Sequence, residues 1–101
     1  MSLQIGKYQA EGPYTDTINL KRLSGVYVIL GRSNQAASWN VLDVGESGDI
    51  RERIENHDRK DQWKRCGHNY LAVAPIYVNA LQRTHVEQEL RQQFNPPCGK
   101  R

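Results

Sequence analysis

The chain has 101 residues, a formal net charge of +3 and a pI near 9.0. An apolar fraction of 38%, a charged fraction of 25% and a mean hydropathy of −0.77 argue against a disordered tail or a membrane bundle, and fit a single domain over residues 1–101 with one modest core. No apolar run approaches the ~18 residues of a membrane helix, and the mild positive balance permits a phosphate-backbone partner without requiring one.

Ile5 to Ala10 reads as a short edge strand, followed by turn chemistry at Gly12-Pro13 and Thr15-Asp16-Thr17. Gly25 to Leu30 is dense in β-branched and aromatic residues and predicts a buried strand. Gly31 to Ser38 is a polar loop, and Trp39 to Val44 is the next strand, ended by Gly45. A loop this short makes the two strands antiparallel, because a parallel pair needs a crossover of a dozen or more residues.

Ser47 and Asp49 are candidate N-caps, and Asp49 with Glu52 makes a capping box. Ile50 and Ile54 share one face of the helix that follows, which is expected to run to His57 or Arg59. Asp61 to Arg65 adds a turn that buries Trp63. Tyr70 to Val78 predicts another strand, with Pro75 marking an edge position or a bulge. Asn79 caps a last helix whose Val86, Leu90 and Phe94 recur every four residues, and Asn95-Pro96-Pro97 ends it. The expected class is α+β: a small antiparallel sheet packed by helices.

Cys66 and Cys98 can pair only once, too little for a disulfide scaffold, so a reducing compartment is expected. The stretch from Met1 to Ile5 lacks the basic-then-apolar pattern of a signal peptide, and the expected location is the cytoplasm.

Chemistry concentrates on the two helices. At about 100° per residue, Arg53 and His57 flank the Ile50/Ile54 stripe, where a side chain is held firmly yet reaches a ligand. Arg53 offers a fork of donors suited to phosphate, and His57 can orient a water. Their structural reading is a stem covering the core edge and a surface histidine. The surrounding basic residues, Arg59 among them, read as a solvated face diluted by acids. Glu87 lies about 60° from the centre of the Val86/Leu90/Phe94 stripe and Glu89 about 100° away on the other flank, which makes Glu87 the better semi-buried carboxylate. Tyr27 sits mid-strand, where a phenol either packs or serves as a proton acceptor or donor. A zinc cluster of His57, Cys66, His68 and Cys98 is conceivable, but its spacing contains no CxxC or HxxxH pair.

Together these residues resemble the GIY-YIG nuclease domain from about Ser24 to Pro97. Gly25-Val26-Tyr27 is similar to the GIY element, and Val44-Gly45 to the end of the YIG element. Arg53 stands eight residues beyond Gly45, with His57 one turn later. Glu87 is similar to the family glutamate that precedes a helix-ending proline by nine residues, here Pro96. The resemblance implies a three-stranded antiparallel sheet flanked by helices and a metal-dependent endonuclease acting on nucleic acid, DNA before RNA. It implies one Mg²⁺ or Mn²⁺ held by Glu87, with Arg53 on the attacked phosphate, Tyr27 on the attacking water and His57 assisting.

Two positions depart from the pattern. Asp43 stands where the second motif tyrosine is usual, and is a candidate base, a second metal ligand, or a repulsive charge that leaves a binding-only or protein-interaction domain. Pro97-Cys98-Gly99 replaces the asparagine that often follows the proline. Oligomeric state, strandedness and pathway are left open by the sequence.

Overall fold

The computed structural model describes residues 2–66 and 69–98. His68, one of the four residues weighed for zinc, lies outside the described residues. The elements run β1 (Ser2–Ile5), β2 (Tyr8–Glu11), a 3-10 turn at Thr17–Asn19, β3 (Gly25–Arg32), β4 (Asn40–Ser47), α1 (Ile50–Glu55), α2 (Lys60–Arg65), β5 (Tyr70–Tyr77) and α3 (Ala80–Phe94).

The main sheet has three antiparallel strands in the order β4-β3-β5, so the most apolar strand, β3, is central. Alternate residues of β3 feed two separate cores, as a strand buried on both faces must. Val26, Val28 and Leu30 meet Val44, Ala74 and Ile76, and this layer is covered by Val86 and Leu90 of α3 and by Ile5 and Ala10 of the hairpin. Tyr27 and Ile29 face the other way, toward Ile50 and Ile54 of α1, Trp63 of α2, Leu20 and Cys98. The α+β class and the three-stranded sheet flanked by helices are as the sequence implied.

Local signals account for most of the boundaries. Asp49 caps α1 by accepting from the Glu52 N–H, and Asn79 caps α3 by accepting from the Gln82 N–H. Asn95 ends α3 in the left-handed region at φ 45°, just ahead of Pro96. Pro75 lies on edge strand β5. The Val73 N–H and C=O point away from β3 to Tyr14, so the N–H that Pro75 lacks, two residues on, would also have pointed outward.

Three expectations need correction. The strand expected over Ile5 to Ala10 is two strands, because Gly6 at φ +58° starts a tight turn and Ile5 pairs with Tyr8. Gly45 does not end β4 but sits inside it, opposite Tyr27. Helix α1 stops at Glu55, so His57 follows the helix rather than closing it.

One irregularity positions the site. Ile29 pairs with Asp43 but Leu30 pairs with Val41, so Leu42 is an extra residue in β4. This bulge turns Leu42 toward the same core as Tyr27 and α2, beside Asp43. Edge strand β4 is covered along its outer side: Leu42 O accepts from the Cys98 N–H at 2.9 Å, and Val44 O accepts from Arg91 Nη2. Among the described residues no helix is long and apolar enough to cross a membrane.

Candidate active site

Tyr27 anchors the site from the middle of β3. Its ring passes over the neighbouring strand at Gly45, where a Cβ would overlap the phenol oxygen. Glycine is therefore required there by a side chain, not by a turn. The phenol oxygen ends 2.5 Å from His57 Nε2.

His57 is held in place from three sides. Its ring meets Tyr27 edge-on at 5.3 Å and Trp63 at 4.5 Å between centroids. Its Nδ1 accepts the Arg59 backbone N–H at 3.0 Å. A neutral imidazole whose Nδ1 accepts must carry its proton on Nε2. His57 therefore donates to the Tyr27 oxygen, and the Tyr27 hydroxyl proton is directed elsewhere. Burial, and after it the positive charges of Arg53 and Arg59, push the His57 pKa down to about 4, so the ring is neutral at pH 7.

Burial also raises the Tyr27 pKa, with Arg53 and Arg59 pulling against it. The phenol is thus protonated at neutral pH. Arg53 is the one predicted site residue with a substantially exposed side chain, 36% accessible, and its Nη2 contacts the exposed Asp58 carboxylate at 3.1 Å. An ion pair this exposed contributes little to stability.

Asp43 is fully buried and saturated. Its Oδ1 accepts from the Val44 N–H at 2.8 Å and from Arg91 Nη2 at 2.9 Å. Its Oδ2 accepts from Arg59 Nε and Trp63 Nε1, both at 2.8 Å. A carboxylate offers about four lone-pair sites. All are occupied, so in this arrangement Asp43 has none left to take a proton or a metal ion. It joins β4, α2 and α3.

Glu87 is 4% exposed, as its position beside the apolar stripe suggested. Arg91, one turn on, places Nε 3.6 Å from Glu87 Oε2. That nitrogen makes no hydrogen bond among the described residues, so the contact is one of charge. Glu89, on the other flank, is engaged by Tyr8 at 2.9 Å and Lys7 at 3.3 Å.

The structure thus joins Tyr27 and His57 directly, sets Arg53 within electrostatic reach of both, and ties Glu87 to Asp43 through Arg91. Arg59, Trp63 and Arg91 were not read as site residues from the sequence, although Trp63 was expected to be buried and is. Arg91 carried one usable signal, its place four residues after Glu87 on the same helical flank. Arg59 looked like one of several solvated bases.

Among the described residues no group of three His, Cys, Asp or Glu side chains could enclose a metal ion. Glu87 is a buried carboxylate held against Arg91, and a Mg²⁺ site commonly has only one or two protein carboxylates with water and phosphate oxygens completing it. Arg91 Nε already faces Glu87 Oε2 at 3.6 Å, and Arg91 is anchored to Asp43, so a cation held by Glu87 would have to sit beside that guanidinium. No family model matches the chain, and neither a curated protein nor a solved structure does.

Proposed function

We propose that this chain is a GIY-YIG-like nuclease domain that hydrolyses phosphodiester bonds in nucleic acid, DNA before RNA, with one Mg²⁺ or Mn²⁺. The observation that carries this reading is the 2.5 Å Tyr27–His57 contact with Arg53 beside it. Two separate stretches of sequence meet there, Tyr27 on β3 and the segment Arg53 to His57, and a stable core does not by itself require that combination.

In this reading the Arg53 guanidinium leaves Asp58 and binds a non-bridging phosphate oxygen. Tyr27 accepts from His57 Nε2, which leaves its own O–H to orient the attacking water. His57 keeps the phenol oxygen fixed and remains neutral. Glu87 would hold the cation, which would supply positive charge against the charge developing on the phosphate. The water oxygen bonds to phosphorus and gives up one proton to solvent as the ester P–O bond breaks. The released oxygen takes a proton from solvent.

A second reading, a nucleic-acid-binding domain that does not cut, is favoured by Asp43. Where the motif tyrosine would place a hydroxyl, the buried carboxylate is consumed by Arg59, Trp63 and Arg91. Cleavage of labelled single- and double-stranded DNA and RNA with Mg²⁺, Mn²⁺ or chelator, by wild type and by Arg53→Ala, separates the two. Metal-dependent cutting lost in Arg53→Ala supports the nuclease. Salt-sensitive binding without cutting supports the second reading.

A further inference from the structure

The two cysteines lie on segments that the fold brings together. Cys66 is the C-cap of α2, and Cys98 follows the two prolines after α3. Their sulfur atoms are 2.8 Å apart. Cys98 is fixed from two other directions: its N–H bonds Leu42 O at 2.9 Å, and its sulfur contacts Gln62 O at 3.7 Å. Cys66 is partly open to solvent, whereas Cys98 is buried.

We infer that Cys66 and Cys98 form a reversible intramolecular disulfide that fastens α2 to the segment after α3. The sulfurs already lie 2.8 Å apart, so they have only about 0.8 Å to close to reach the ~2.05 Å of a disulfide bond. The accessible thiol reacts first. With hydrogen peroxide as oxidant, the Cys66 thiolate attacks one peroxide oxygen and becomes a sulfenic acid, releasing one water after protonation. The Cys98 sulfur then attacks Cys66 Sγ and expels the hydroxyl, which leaves as a second water with the Cys98 proton. Two thiols are oxidised by two electrons, and one peroxide is reduced to two waters. Burial and the contact with Cys66 push the Cys98 thiol up to about 12, which suits a resolving partner rather than the first nucleophile.

The bond bears on the site without touching it. Helix α2 carries Trp63 and is preceded by Arg59, and both donate to Asp43. The Arg59 N–H also fixes the His57 tautomer. Oxidation therefore fastens the element that holds His57 against Tyr27. This holds for either reading of the site.

The test treats the purified chain with hydrogen peroxide or dithiothreitol and compares it with Cys66→Ser and Cys98→Ser. The expected result for oxidised wild type is loss of both titratable thiols and a linked tryptic peptide pair containing Cys66 and Cys98. It remains a monomer on a non-reducing gel, and its Tm rises on the order of 10 °C, reversibly with dithiothreitol. Neither serine variant shows that reversible Tm rise. Persistence of both thiols, a disulfide-linked dimer, or an oxidised wild type with no higher Tm would overturn the inference. If one serine variant fails to fold, the peptide map and Tm of wild type still decide it.

Discussion

The Tyr27 oxygen and His57 Nε2 lie 2.5 Å apart, and the direction of the proton between them is set by a third group, the Arg59 N–H on His57 Nδ1. That donor gives the histidine one tautomer and makes it the donor to tyrosine. The pair is therefore a fixed hydroxyl, not a base taking the tyrosine proton.

The same burial makes a prediction about pH. The His57 pKa is lowered from 6.5 to about 4, so between those values the unfolded chain binds more protons than the folded one. Stability is full above pH 6.5, declines as pH falls through that window, and has lost the whole His57 contribution near pH 4. The size is roughly 3 kcal/mol. Urea denaturation from pH 7 to 5 checks it: wild type should lose stability, and His57→Phe, although weaker at pH 7, should show a flatter slope.

Asp43 is predicted to matter more for folding than for proton transfer. Asp43→Ala leaves Arg59 and Arg91 without their buried counter-charge and should cost about 3 kcal/mol. Asp43→Tyr, which introduces the tyrosine of the motif the chain resembles, should also destabilise, because one phenol oxygen cannot serve four donors. Denaturant midpoints of both variants measure this. An Asp43→Tyr protein as stable as wild type would refute the structural role given to Asp43.

Gly45 predicts a link between packing and site. In Gly45→Ala the new methyl overlaps the Tyr27 hydroxyl, so the ring must shift. Overpacking of this kind costs about 1–3 kcal/mol. The His57 imidazole resonances in an NMR spectrum should shift along with the lowered stability, because the Tyr27 contact is displaced.

Arg53 should behave in the opposite way. Its contact with Asp58 is solvent-exposed, so Arg53→Ala should change stability by less than about 1 kcal/mol. Cleavage should fall by about 100-fold or more, the usual consequence of removing a positioned donor to developing charge. Comparing the melting curve with the cleavage rate of this one variant checks both halves.

How much of this was legible beforehand follows from the range of each interaction. Caps and strands are local, and Asp49, Asn79 and the apolar run of β3 announced them. The spacing of Tyr27, Arg53 and His57 reflected their meeting place. The role of Asp43 was hidden because its partners lie 16, 20 and 48 residues away, and only the β4 bulge and the path of α3 bring them together. Gly45 was read as a strand end because its actual constraint is a side chain on another strand.

The most direct measurement is cleavage of labelled DNA and RNA by wild type and Glu87→Gln, each shown to be folded, with Mg²⁺ and with chelator. The substitution keeps the shape of the side chain and removes its charge. The expected result is metal-dependent cutting by wild type that falls by about 100-fold or more in Glu87→Gln. Folded wild type that cuts none of these substrates, or cuts as well without the Glu87 charge, would contradict the proposed metal-dependent nuclease.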